Sequence, residues 1–376
     1  MEIYLDNAAT TRVCDESADA IAHALTVEYG NPSSLHAKGR EAEKILRESR
    51  DTVAHALDVD SKNVFFTSGG TESNNWALLG SAYKMRHRGR HIVSTAIEHD
   101  SVLRPLEFLK QSGFDVTFIK PDKSGVVSSE TVKNALRRDT VLVSVMHVNN
   151  ETGAVQPASE IIETVRGSCG ALVHVDAVQS FLKIPFSAGA FGADMMTVSA
   201  HKIHGPKGVG ALYIKNKSNI SPMIWGGAQE SGQRAGTESL HNIAGFAAAV
   251  KAAEKHIGEA DVRYREFQNY IRCKVSDAVP GVSFLPMGVP NIMSIALPGY
   301  QGETVLNFLD HNGVCVSRSS ACKRNARSYV LEAMGLPAKT IDGTIRVSFS
   351  RYTNESEIQE FVRLLILATE SIFTKL

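Results

Sequence analysis

The sequence predicts an α/β fold in two parts: a large domain with a mainly parallel sheet between helix layers, then a smaller α+β domain. Three observations predict it. Short β-branched runs, "NVFFTS", "HIVSTA", "DVTFIK", "TVLVSVMHV", "ALVHVDA", "MMTVSA" and "GALYIK", alternate with helical stretches. Their near-continuous hydrophobicity marks strands buried on both faces, which is how a parallel sheet between helices reads. From about Ser239 the texture changes, and with 376 residues the chain exceeds what one compact domain usually uses.

Taken in order, the N-terminal "MEIYLDNAATT" lacks the basic segment and apolar stretch of a secretory signal. No later run approaches the roughly 18 apolar residues of a membrane helix, so the expectation is a soluble, cytoplasmic protein. The seven runs build the large sheet. Next, "SLHNIAGFAAAVKAAEKHI" repeats apolar residues at helical spacing and is long enough to bridge from one domain to the next. Fewer strands follow, "NIMSIALPG", "GVCVS" and "TIRVSFSRY", interleaved with the helical "GETVLNFLDHNG". An amphipathic helix, "NESEIQEFVRLLILATESIF", comes last.

Charge and cysteine content narrow the function classes. Forty basic and forty acidic residues cancel, so no global field favours nucleic acid or an anionic membrane. Five cysteines, at 14, 169, 273, 315 and 322, form no CxxC pair, which argues against a disulfide framework or a thiolate zinc site.

In an open α/β sheet the ligand site lies beyond the carboxyl ends of the strands. Five segments sit there. Ser68-Gly69-Gly70-Thr71 runs into a helix, whose free N–H groups suit a phosphate; alternatively Ser68 or Thr71 merely caps the helix. His99 leaves a strand in "TAIEHDSV", where a lone histidine is more often a satisfied structural residue than a catalyst. Asn149 and Asn150 end a very apolar strand and suit either a turn or a carboxylate-binding corner. Asp176 ends another strand in "HVDAVQS", with Gln179 just beyond, and a buried carboxylate requires a partner. His174 shares its strand face, but no third ligand at a familiar metal spacing joins them. The fifth segment is "SAHKIHGPKG", with Lys202 at a buried strand's mouth. An amine in an apolar site loses proton affinity and becomes a nucleophile toward carbonyls. A nucleophilic lysine, a carboxylate for a pyridinium nitrogen, a phosphate turn and an aromatic ring together are what pyridoxal 5′-phosphate needs.

On "DNAATT", "YGNPSSLH", "FTSGGTESNN", "EHDSV", "MHVNNETG", "HVDAVQS", "SAHKIHGPKG", "RAGTES", "SSAC" and "TIRVSFSRYT", the chain resembles the cysteine desulfurases, class V aminotransferases of pyridoxal-phosphate fold type I. The resemblance implies that Lys202 is the Schiff-base lysine, Asp176 the partner of the pyridine nitrogen and Gln179 a hydrogen bonder to the ring hydroxyl. His99 would stack on the ring and carry protons. Gly70, Thr71, Ser199 and His201 would take the phosphate, with Thr237 reaching in from the second subunit of a homodimer. Asn150 and Arg346 would hold the carboxylate of L-cysteine, and Cys322 would receive the sulfur as a persulfide.

The implied division is 15–250 for the large domain and 1–14 with 251–376 for the small one, which carries the Cys322 loop and Arg346. Arg318, Lys323, Arg324 and Arg327 surround Cys322, and such charges stabilise a thiolate. They also favour an acidic sulfur acceptor, an iron–sulfur scaffold or a tRNA-thiolation enzyme. Relatives often read "SGSAC" where this chain has Arg318-Ser319-Ser320-Ala321-Cys322. Two other readings stand beside the desulfurase: another class V enzyme such as a selenocysteine lyase, and a non-enzymatic sulfur relay on the same fold.

Overall fold

A computed structural model describes residues 2–285, 288–318 and 327–372. Cys322, Lys323 and Arg324 therefore lie outside the described residues. All seven predicted runs are strands of one sheet: β1 Val64–Thr67, β2 His91–Thr95, β3 Asp115–Ile119, β4 Thr140–Met146, β5 Leu172–Asp176, β6 Met195–Ser199 and β7 Gly210–Ile214. Their order is β1-β7-β6-β5-β4-β2-β3. The pairs among β2, β3, β4, β5 and β6 are parallel, whereas β7 runs against both β6 and β1. With β7 alone reversed, β1 points the same way as the rest. Six carboxyl ends thus share one edge of the sheet.

One strand departs from expectation. β3 is an edge strand with Asp115 exposed and Thr117 and Phe118 only half-buried, so it is not covered on both faces. The other six strands are buried throughout and supply much of two apolar cores, one on each face of the sheet. Alternating residues explain the division: Val173 and Val175 of β5 face the first core, Leu172 the second.

The helical stretch after Ser239 is not one bridging helix. It is Leu240–Glu254 followed by Ile257–Ala278, divided at His256, whose φ of −119° and ψ of −3° leave helical geometry. The first helix buries Leu240, Ile243, Phe246 and Val250 in the core of the large sheet. The second buries Phe267, Ile271 and Val275 in a separate core. That separate core also holds Ile3 and Leu5, and the face of the last helix, Glu355–Ser371, at Phe361, Leu364 and Leu365. A capping box between Asn354 and Glu357 starts that helix. Its partner sheet is antiparallel: β8 Ser283–Phe284, β9 Ile292–Ala296, β10 Ser317–Arg318 and β11 Thr344–Ser348, in the order β10-β11-β9-β8. Among the described residues, no helix is long and apolar enough to cross a membrane.

Candidate active site

A cavity of about 340 Å³ opens at the shared carboxyl edge, a size suited to a cofactor-scale ligand. Ten of the predicted residues line it: Gly70, Thr71, His99, Asn150, Asp176, Gln179, Ser199, His201, Lys202 and Arg346. Thr237 is exposed and lies outside this wall.

Each lining residue is placed by an element already described. Lys202 ends a 3₁₀ turn, Ala200–Lys202, directly after β6. Its Nζ donates to the carbonyls of Ala8 and Ala9, 2.7 Å to each, so the N-terminal segment holds the amine at the cavity. Asp176 closes β5, with Oδ1 accepting from the backbone N–H of Val178 at 3.0 Å and Oδ2 from Asn74 Nδ2 at 2.7 Å. This is the partner that a buried carboxylate demands. Asn74 also donates to Ser101 Oγ at 2.9 Å, and Ser101 Oγ lies 2.8 Å from His99 Nδ1. A single chain of hydrogen bonds therefore joins Asp176, Asn74, Ser101 and His99.

His99 serves a structural purpose as well. It is the N-cap of helix Asp100–Gln111, its Nδ1 accepting from the Ser101 backbone N–H. Burial holds its pKa below the ordinary value, and Lys202 pushes the same way while Asp176 opposes. His201 is pushed down to about 3, by burial first and then by Lys202 and Lys183. Burial thus favours the neutral form of both imidazoles.

Arg346, buried in β11, donates from Nη1 to the Asn150 carbonyl at 2.7 Å and from Nη2 to Asp6 Oδ1 at 2.8 Å. Gln179 points its Nε2 at the Ala8 carbonyl and its Oε1 at Lys183 Nζ, each at 2.8 Å. Asn149 resolves to the turn reading: its Oδ1 accepts from Glu151 N, Thr152 N and Thr152 Oγ1. His174 uses both ring nitrogens on Ser144 and Thr197, and burial brings its pKa to about 4. Among the described residues no group of three His, Cys, Asp or Glu is placed to hold a metal ion.

One expectation needs correction. Neither Ser68 nor Thr71 caps the helix Gly70–Asn75; the N-cap is Gly69, without a side-chain bond, at a φ of +145° that favours glycine. The Ser68 N–H instead donates to Glu72, which also pairs with Arg234. Two of the four cations around Cys322 in sequence have acidic neighbours of their own. Arg327 makes a two-pronged pair with Asp342 at 2.7 and 2.8 Å, and Arg318 lies 3.6 Å from Glu303.

The residues present fit pyridoxal 5′-phosphate. Asn74 Oδ1, Asn150 Oδ1 and Ser199 Oγ are buried in the cavity wall without hydrogen-bond partners, and such atoms call for a polar occupant. A side chain on Gly70 would put its Cβ 3.1 Å from Val178 Cγ2, tighter than ordinary contact, so the absence of one keeps the helix start clear. The helix's first N–H groups and Ser199 suit a phosphate, Asp176 a protonated ring nitrogen, and the Lys202 amine an aldehyde carbon.

Asn74, Ser101, Asp6 and the carbonyls of Ala8 and Ala9 were not assigned roles from the sequence. The signal was present, since all five lie inside "DNAATT", "FTSGGTESNN" or "EHDSV".

Fold and site together define the class: a fold type I enzyme, an α/β protein with a mainly parallel central sheet and a lysine at its carboxyl edge. The chain belongs to the class V aminotransferase family, whose model matches residues 3–361. It is 37% identical over 378 aligned positions to "Cysteine desulfurase IscS" of Dictyoglomus turgidum, covering 99% of this chain and 96% of that protein. It is 39% identical to "Cysteine desulfurase" of Nostoc sp. over 369 positions, 96% of this chain and 92% of the relative. Among solved structures, "NifS-like protein" superposes with a TM-score of 0.93 at 37% identity, over 99% of this chain and 100% of the other. "SspA in complex with cysteine" does so with a TM-score of 0.83 at 32% identity, covering 94% and 100%.

Proposed function

We propose that this chain is a pyridoxal 5′-phosphate-dependent cysteine desulfurase, converting L-cysteine to L-alanine and passing the sulfur through a Cys322 persulfide to an acceptor. The observation that carries the reading is the convergence of Lys202, Asp176 and Arg346 on one cavity with unpartnered polar atoms in its wall. When bound, the cofactor supplies an electron sink for the electrons left at Cα of the substrate.

The chain's own residues do the rest. Lys202 Nζ, steered by two carbonyls, is the group that attaches the aldehyde and then removes the Cα proton. Asp176, oriented by Asn74 and the Val178 N–H, holds the proton on the ring nitrogen. Gln179 would hold the ring hydroxyl and His99 would lie over the ring, its neutral form favoured by burial and able to carry protons. Gly70, Thr71, Ser199 and His201 bind the phosphate, joined by Thr237 from the second subunit of a homodimer. Arg346 and Asn150 take the substrate carboxylate. The Cys322 thiolate attacks the substrate sulfur: an S–S bond forms, the C–S bond breaks with its electron pair moving to carbon, and protonation there yields alanine. In this reading 15–250 form the cofactor-binding domain and 1–14 with 251–376 the smaller one. The protein works in the cytoplasm, with an iron–sulfur scaffold or a tRNA-thiolation enzyme as acceptor.

The test is threefold. Purified protein with added cofactor gains visible absorbance that Lys202→Ala lacks, releases alanine from L-cysteine, and shows a 32 Da increment on Cys322 by mass spectrometry, about one sulfur atom. A protein that binds the cofactor yet yields no alanine and no such increment refutes the assignment.

A further inference from the structure

A second and smaller cavity has a volume of about 60 Å³, room for a few water-sized species. Lys202 is common to the walls of both. The composition of the second wall is one-sided. It contains Lys183, Lys202, Arg351, His204 and His256, and no aspartate or glutamate.

Lys183 has an amide, Gln179 Oε1 at 2.8 Å, as its hydrogen-bond partner. Burial holds its pKa well below the ordinary value, and the charges of Lys202 and Arg346, both cations, push the same way. Arg351 stacks on Tyr352 with 5.2 Å between guanidinium carbon and ring centroid, and its Nη1 is buried without a hydrogen-bond partner. Asn291 Oδ1, in the same wall, is also buried and unpartnered. The backbone that delivers Lys183 is strained: Leu182 sits at a φ of +54°, which a bulky residue adopts only when its surroundings impose it.

We propose that this cavity is a binding site for an inorganic monoanion of about chloride size, held by Lys183 and Arg351. An anion supplies the negative charge that the wall lacks, restores the charged form of Lys183 that burial disfavours, and satisfies N–H donors of both side chains. The remaining space takes water, which meets the Asn291 acceptor. Besides the shared Lys202, a hydrogen bond links the site to the first cavity. The Lys183 to Gln179 hydrogen bond crosses the partition, so an anion on Lys183 fixes the amide that, in the proposed function, faces the cofactor ring.

The inference rests on that function only for its spectroscopic readout. Crystals soaked in sodium bromide should show an anomalous peak in the cavity within contact of Lys183 and Arg351, whether or not the cofactor is bound. In holoenzyme at fixed pH and ionic strength, replacing gluconate by bromide should shift the cofactor's visible absorbance saturably. Lys183→Met should weaken that titration roughly tenfold or more, the consequence of losing a charged contact. Arg351→Gln gives the same expectation should Lys183→Met not fold. No bromide peak at this place, or identical titrations with bromide and gluconate, or a wild-type response in both variants, overturns the anion site. Failure to take up the cofactor at all sinks the proposed function and leaves the anomalous peak to decide this one.

Discussion

Replacing Asn74 by alanine breaks the hydrogen-bond chain at its centre. The amide gives one bond to a carboxylate, Asp176 Oδ2 at 2.7 Å, and one to a neutral hydroxyl, Ser101 Oγ at 2.9 Å. A bond to a charged group contributes about 1.5–3 kcal/mol and a neutral one about 0.5–1.5 kcal/mol, so the sum is about 2–4.5 kcal/mol. Water entering the adjoining cavity replaces part of it, because Asp176 lines that space, and the lower half of the range is expected. For a unit of some 200 residues each kcal/mol moves the melting temperature by about 2–4 °C, which gives a fall of about 5–10 °C. Differential scanning calorimetry of the cofactor-free protein measures it. Ser101→Ala is the control, since it removes only neutral bonds, to Asn74 and His99, and should cost less. If Asn74→Ala loses no more stability than Ser101→Ala, or less than about 1 kcal/mol, the carboxylate is not held as argued.

Glu98 is buried beside Asp176 with Oε2 unpartnered, and burial pushes its pKa up to about 8. The folded state therefore binds a proton that the unfolded state has lost above about pH 4.5, and stability falls as pH rises toward 8, by at most about 1.4 kcal/mol per pH unit. Glu98→Gln should flatten that decline, as urea titrations at several pH values would show. At the acid end, His147, His174 and His204 have pKa values near 4 and His201 near 3, all lowered by burial. Their stabilisation is present above about pH 6.5 and lost as pH falls from there through 4, so circular dichroism should record destabilisation that begins above the carboxylate range. Gly70→Ala places a methyl group 3.1 Å from Val178 Cγ2, in the phosphate corner. It should weaken cofactor binding measurably in an absorbance titration while leaving the apo melting temperature within a few degrees.

What the sequence disclosed follows from the range of the forces involved. Six of the seven strands of the large sheet were readable because a strand covered on both faces must be apolar along its length, a local property, and β3 by its β-branched and aromatic residues. The edge position of β3 was not, since exposure there depends on what fails to pack beside it. The reversal of β7 was equally silent: apolarity carries no direction. The division of the long helical stretch at His256 was missed because apolar spacing continues across a break that separates two cores. Lys202, Asp176 and Arg346 stood out by their motifs, whereas Asp6 and Lys183 did not, because each takes its meaning from a partner far away in sequence.

The same distance explains why the site exists only in the complete fold. Arg346 meets Asp6 across 340 positions and the Asn150 carbonyl across 196. Lys202 is steered by carbonyls about as remote, those of Ala8 and Ala9. The Asn149–Thr152 turn is fastened from the other side by Ser294 Oγ, which donates to the Glu151 carbonyl at 2.7 Å, and by Ser328 Oγ, which donates to the Glu151 carboxylate. Ser328 in turn caps helix Tyr329–Ala333. Burial brings the Glu151 pKa to about 7, and the nearby Arg346 favours its charged form. Lys202, Arg346 and the Asn149–Thr152 turn are thus each fixed by bonds to segments far away in sequence. Neither half of the chain assembles the cavity alone, so loosening the N-terminal strand Ile3–Tyr4 from Val314–Cys315 should release Lys202 and Arg346 together.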